Sequence, residues 1–173
     1  MNKILLNNIK VIAVKVLFIF MFIYILFFLI FGLFKINNKS MDPSIKGGSL
    51  LLIYRLNKNY NVGDVVLFTH NNKKEVARII ALSEDVVSLN TEGDFITKDS
   101  DKIKAYYKNV IPSNSISYPY RVGSNKVFVS FDNREYLADS REYGAIDKKD
   151  IIGKVITILS TRDIWYENNK CTR

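Results

Sequence analysis

The chain divides sharply by its pattern of apolar and polar positions. Residues 16–34 contain no charged side chain and no polar stripe. Nineteen residues at helical rise reach about 28 Å, close to the bilayer core of about 30 Å. The run is too long for the apolar core of a cleaved signal peptide. It is followed by Lys35-Ile36-Asn37-Asn38-Lys39, where a small-x-small cleavage site would stand. The pattern predicts a short N-terminus over 1–15, one transmembrane helix over 16–34 and a separate folded unit over 35–173. After Ser44 the period changes from helical to short and strand-like. Strands are expected over 49–54, 62–68, 75–82, 85–89, 126–130 and 153–159, with a polar hairpin tip over 69–74, a turn at 91–94 and a brief helical turn within 147–152. Residues 94–120 are rich in Tyr, Lys and Ser without a clear period, and read as an insertion over one end of an all-β domain.

Charge sharpens this division. The 173 residues carry a formal charge of +8, yet residues 1–39 hold five lysines and no acid. The other 20 bases are scattered among all 17 acids. The basic excess therefore flanks the apolar run and makes no basic face on the folded domain, which argues against nucleic acid as a partner. Three lysines precede the run and two follow it, a bias that favours a cytoplasmic N-terminus. The one cysteine, Cys171, permits neither an intramolecular disulfide nor a cysteine metal cluster. No cofactor or metal ligand set is legible.

Three blocks carry candidate chemistry. Ser40-Met41-Asp42-Pro43-Ser44 lies just after the apolar run. Val76-Ala77-Arg78-Ile79-Ile80-Ala81-Leu82-Ser83-Glu84-Asp85 lies in a predicted strand. Asp132-Asn133-Arg134 is followed by Asp139-Ser140-Arg141 and Gly144. A serine needs a neighbouring base to become a nucleophile. The single histidine, His70, falls at the predicted hairpin tip beside Asn71 and Asn72 and reads as a solvated turn residue.

Taken in order after an anchor, these blocks resemble the type I signal peptidases, membrane-anchored serine proteases with a Ser/Lys dyad. Gly63-Asp64-Val65-Val66-Leu67-Phe68 resembles the strand that follows the nucleophile block in that family. The resemblance covers most of residues 16–160. It implies a β-barrel-like domain outside the cell membrane behind a single-pass anchor. It puts Ser40 at the nucleophile position and Asn38 at the place of an oxyanion donor. Ile36, Met41, Ile45 and Val76 would line a shallow apolar groove that binds an extended precursor segment by edge-strand addition. Asn133, Arg134, Asp139 and Arg141 become structural residues, with Asp139 and Arg141 paired.

The departures fall on the chemistry. Ala77 stands where the family has its lysine base, and Leu137 where it has the serine that holds that lysine. Phe131 replaces a glycine, and Leu82-Ser83-Glu84-Asp85 departs from the family's ending of the middle block. Lys73 shares a strand face with Ala77 but lies about 13 Å along it, out of reach. Two functions follow as expectations. In one, a pseudoenzyme keeps the groove and binds exported precursors without cutting. It then resembles the signal-peptidase-like accessory proteins of Gram-positive pilus loci, which work with a pilin and a sortase. In the other, an active signal peptidase uses Ser40 with an unidentified base.

Overall fold

The computed structural model describes residues 2–91, 94–99, 101, 115–133 and 135–159, with side chains from Ile9 onward. Helix α1 (Asn2–Ile30) opens the chain, and its segment Ile9–Ile30 is long and apolar enough to cross a membrane. No residue of that segment's most apolar window is buried among the described residues. The apolar run expected to remain helical through residue 34 divides at Ile30. Its last residues form strand β1 (Phe31–Lys35), which lies against β2 (Leu50–Tyr54) in antiparallel register, Phe31 opposite Tyr54 and Lys35 opposite Leu50. Hydropathy alone cannot separate these two parts, because a half-buried edge strand and a membrane helix are both apolar.

The rest is mostly β. β3 (Val65–His70) and β4 (Lys73–Ala81) form a hairpin whose tip, Asn71 and Asn72, takes positive φ. Asparagine tolerates that region better than most residues, as a two-residue hairpin turn requires. β5 (Val86–Leu89), β6 (Phe95–Ile96) and β7 (Tyr120–Arg121) follow, then β8 (Lys126–Ser130), helix α2 (Ser140–Tyr143), β9 (Ile146–Asp147) and β10 (Ile151–Leu159). A 3-10 turn over Lys148–Asp150 meets the expected helical turn. The main sheet runs β1-β2-β10-β3-β4-β8-β9, and a small sheet runs β6-β5-β7. The insertion expected over 94–120 thus contributes β6 and β7 where it is described. The predicted strands β2, β3, β4, β5, β8 and β10 form within a few residues of their expected limits.

One core fills the main sheet, built from Leu51, Ile53, Val66, Phe68, Ile79, Val127 and Val129 with Ile36, Met41 and Ile45 from the β1–β2 loop. A smaller core joins Ile80, Val87, Phe95, Val122 and Phe128. β10 sits between β2 and β3, and Gly153 permits that close approach. A Cβ there would lie 2.4 Å from the Tyr54 carbonyl oxygen and 2.8 Å from Ile53 Cγ2. Both obstacles belong to the paired strand, so the sheet would have to open.

Gly153→Ala is therefore expected to lower stability by about 1–3 kcal/mol. Gly123→Ala, whose nearest obstacle is the flexible Lys126 side chain at 3.6 Å, should change stability by less than about 0.5 kcal/mol. Denaturant unfolding of the detergent-solubilised protein, followed by near-ultraviolet circular dichroism, checks both.

Candidate functional site

Ser40 lies in the loop between β1 and β2. The loop is closed at its base by Ile36 N–H to Ser49 O at 3.0 Å and Gly48 N–H to Ile36 O at 2.7 Å. A turn runs through the serine itself, with Ile45 N–H donating to Met41 O at 2.8 Å and Asp42 N–H to Lys39 O at 3.2 Å. Asn133 ties the loop to the distant third block. Its backbone N–H donates to Ser40 O at 2.9 Å, and its side-chain amide donates to Lys39 O, also at 2.9 Å. Its own Oδ1 accepts from Glu135 N–H at 3.1 Å. Asn133 was expected to satisfy turn backbone together with Arg134, and Arg134 lies outside the described residues.

The Ser40 side chain is 1% exposed. Its hydroxyl donates to Asn38 Oδ1 at 2.7 Å, and its N–H reaches the same oxygen at 3.3 Å. An amide oxygen accepts hydrogen bonds but does not take a proton at neutral pH. Asn38 thus turns its acceptor toward the serine. Service as an oxyanion donor requires the amide to rotate so that its nitrogen faces the site.

Ala77 is fully buried in β4, opposite Val66 of β3. It belongs to one cluster with Ile36, Met41, Ile45, Val76 and Phe131. The four residues expected to line an open pocket are thus together, but each is at most 2% exposed. They pack as core around the serine loop. Ile45 alone among them borders a groove, which has Ser44, Gly63, Asp64 and Lys154 on its walls. Phe131 belongs to the same cluster. It is 3% exposed and meets Tyr136 edge-to-face at 6.5 Å. Its bulk lies where the family has only a glycine. Leu137, at the place of the family's serine, is 37% exposed and faces solvent.

The opposite face of the same strand is intact. Arg78 Nε donates to Asp132 Oδ1 at 3.0 Å, Nη2 to Asp132 Oδ2 at 2.6 Å, and Nη1 to Gly63 O at 2.9 Å. Both partners are buried. Asp139 is 0% exposed and receives Ser130 Oγ at 2.9 Å, Phe131 N–H at 2.8 Å and Arg141 through Nε at 2.9 Å and Nη2 at 2.8 Å. It also caps α2 by accepting Arg141 N–H at 2.9 Å. The predicted Asp139–Arg141 pair is therefore present, fully buried and bidentate.

Two residues were missed by sequence reasoning. His70 is half-buried and stacks on Tyr143 at 3.9 Å with an 18° tilt between rings. It ends β3 and joins the hairpin to α2, which corrects its reading as a free tip residue. A lone histidine carries no sequence signal for that contact. Glu75 did carry one, since its even offset from Ala77 puts both on one face of β4. Its Oε2 is buried without a hydrogen-bond partner among the described residues. Burial raises its pKa, with the Asp139 charge adding to the rise and His70 and Lys73 opposing it. The Tyr143 hydroxyl is likewise buried and unbonded, and burial followed by the charges of Glu75 and Asp139 raises its pKa. Lys39, Lys73 and Lys74 are all exposed.

The pattern described as signal peptidase, peptidase S26, matches residues 9–160. A signal peptidase I of Bacillus caldolyticus is 28% identical over 144 residues, which span 73% of this chain and 78% of that protein. The signal peptidase IB of Staphylococcus aureus strain Mu50 is 28% identical over 170 residues, spanning 84% and 85%. Among solved structures, a signal peptidase I from Enterococcus faecalis V583 is similar at 21% identity and a TM-score of 0.39, covering 57% of this chain and 97% of that one. The family match takes in the Ser40 loop, β4 and the Asp132–Gly144 segment together, and this chain belongs to the signal peptidase family of S26 serine peptidases.

Proposed function

We propose that this signal peptidase I-like protein binds extended segments of exported precursors at the membrane without cutting them, and serves as an accessory in assembling a surface polymer such as a pilus, beside a sortase. The observation that carries the reading is Ala77, a methyl group at the family's base position. Its support is the state of Ser40, whose hydroxyl is spent on an amide oxygen. Without a general base a serine forgoes about 10²–10⁴ of rate from proton transfer alone. The bound segment would add to β4. That strand pairs with β3 over residues 73–78 but with β8 only from Arg78 onward, so residues 73–77 keep one edge unpaired among the described residues. Strand addition there uses main-chain hydrogen bonds and does not need the serine. In this reading α1 is a permanent single-pass anchor, with its N-terminus in the cytoplasm and the β domain outside.

One observation favours the second reading, an active peptidase. Glu75 offers a buried, unbonded carboxylate oxygen on the face of Ala77, with raised proton affinity. A carboxylate of that kind is a stronger base than a solvated one.

The full-length protein in detergent is expected not to cleave a precursor bearing a small-x-small site, as followed by mass spectrometry of the products. Cleavage at that site, lost in Ser40→Ala and in Glu75→Gln, would establish the second reading instead. In a deletion strain, Ser40→Ala should restore surface-polymer assembly to the wild-type level on immunoblots; failure to restore it at normal protein abundance would count against the scaffold.

Repair of the dyad gives a further test. Ala77→Lys with Leu137→Ser restores an amine and a hydroxyl, and Phe131→Gly restores the space beside them. Glu75 would hold that amine charged, since an adjacent carboxylate favours the ammonium form. Adding Glu75→Gln should therefore raise Ser40-dependent turnover by about tenfold over the triple variant and shift its pH optimum downward, because the amine then loses its proton at lower pH.

A further inference from the structure

Helix α1 ends against the β domain in a defined way. The Ile30 carbonyl accepts the Arg55 N–H at 2.9 Å, which clamps the residue after β2 to the last residue of the apolar span. Beside this clamp is a cavity of about 360 Å³. Tyr24, Phe27 and Phe28 of α1 form one wall, Leu52 of β2 faces them, and the Arg55 side chain stands at the polar end. The three rings are 56–70% exposed, facing outward from the helix.

The guanidinium is placed by Gly32. A Cβ on Gly32 would lie 2.8 Å from Arg55 Nη2 and 2.9 Å from Nε, so the planar cation rests on bare backbone. Any side chain at position 32 would push it away. Among the described residues Arg55 has no ion-pair partner, and residues 1–39 supply cations and no acid. Two different chemistries therefore meet in one cavity, an aromatic wall within the apolar span and an uncompensated fork of donors just beyond its end. A purely apolar ligand would leave the fork unused, and a soluble anion would leave the rings bare.

We infer that this cavity binds one anionic phospholipid, with an acyl chain along Phe27 and Phe28 and the phosphate diester held by the Arg55 guanidinium. The inference rests on the reading that α1 crosses a bilayer. A guanidinium suits this role because it presents two parallel donors to a phosphate and is less strongly hydrated than an ammonium. Phospholipid bound here would fix the angle between helix and β domain. β1 leads from the clamp straight into the Ser40 loop, so that angle also sets the height of the Ser40 loop above the membrane.

The test uses the full-length protein in detergent, titrated with dioleoylphosphatidylglycerol and followed by native mass spectrometry. One tightly retained lipid per chain is expected for the wild type. Arg55→Gln should weaken retention about tenfold and Arg55→Lys by a smaller factor. Gly32→Leu, which displaces the guanidinium and fills the cavity, should also abolish retention, with circular dichroism confirming that the fold survives. Lys35→Gln removes an exposed cation on the same strand and should shift retention less than twofold. Equal retention by wild type and Arg55→Gln overturns the site, as does an equal loss in Lys35→Gln, which would mean general charge attraction. Flotation of the wild type with liposomes separates the two levels. A chain that floats but retains no lipid refutes the site alone, and a chain that does not float refutes the membrane reading with it.

Discussion

The buried ion pair between Arg78 and Asp132 is the constraint on which the site depends. It joins the middle of β4 to the turn after β8. The next residue, Asn133, then holds the backbone of Lys39 and Ser40. Position therefore passes from strand to turn to serine loop through three consecutive contacts. The second pair, Asp139–Arg141, braces the far end of the same segment and caps α2. Buried pairs of this sort are poor sources of net stability, because desolvation offsets most of their attraction. Their effect is geometric. Breaking one strands a charge in the core at about 3–5 kcal/mol, so the alternatives to this arrangement are strongly disfavoured.

The two faces of β4 would make loss of a base at position 77, as the proposed function has it, chemically simple. Arg78 faces the ion pair, and Ala77 faces the serine loop and the main core. Alternation along a strand separates the two roles by a single residue. A lysine at position 77 would have to shed its hydration and its charge in a fully buried place. Replacing it with alanine removes that penalty and leaves the fold no unsatisfied group. The same exchange at Arg78 would take two guanidinium hydrogen bonds from the buried Asp132 carboxylate. Chemistry could thus be lost from this strand without cost to the scaffold, whereas the scaffold could not be lost without cost to the protein.

Much of this was legible in the sequence because period and punctuation are local. The strands from β2 to β4 and β8 were readable from alternating or continuous apolar runs between polar turns. The Asp139–Arg141 pair was readable because both residues sit in one short motif. The transition at Ile30 was not readable, since Phe31–Phe34 continue the apolar run unbroken while their partners, Leu51–Tyr54, lie some twenty residues away. β6, β7 and β9 are two-residue strands whose existence depends on a partner rather than on their own pattern. The closure of the apolar cluster around Ser40 was equally hidden. Whether Ile36, Met41 and Val76 line a pocket or fill a core depends on what packs with them, and here they share one buried cluster with Phe131.

The Glu75 environment shows how a site can change character without changing shape. On one face of β4, in place of a lysine, the nearest ionisable neighbour of the same parity is an acid with an unbonded oxygen. Tyr143 and Tyr118 add two more buried hydroxyls without hydrogen-bond partners among the described residues, and burial pushes Tyr118 up to about 12. All three groups share electrostatic contact with Asp139. The region is therefore rich in acceptors and weak acids, and Arg141 beside it is already committed to Asp139. A neutral amine, which the family's dyad requires, is the state such surroundings favour least, because buried carboxylates stabilise the ammonium ion. Under the proposed function, the difference thus extends beyond Ala77 to the electrostatics of the pocket a lysine there would enter.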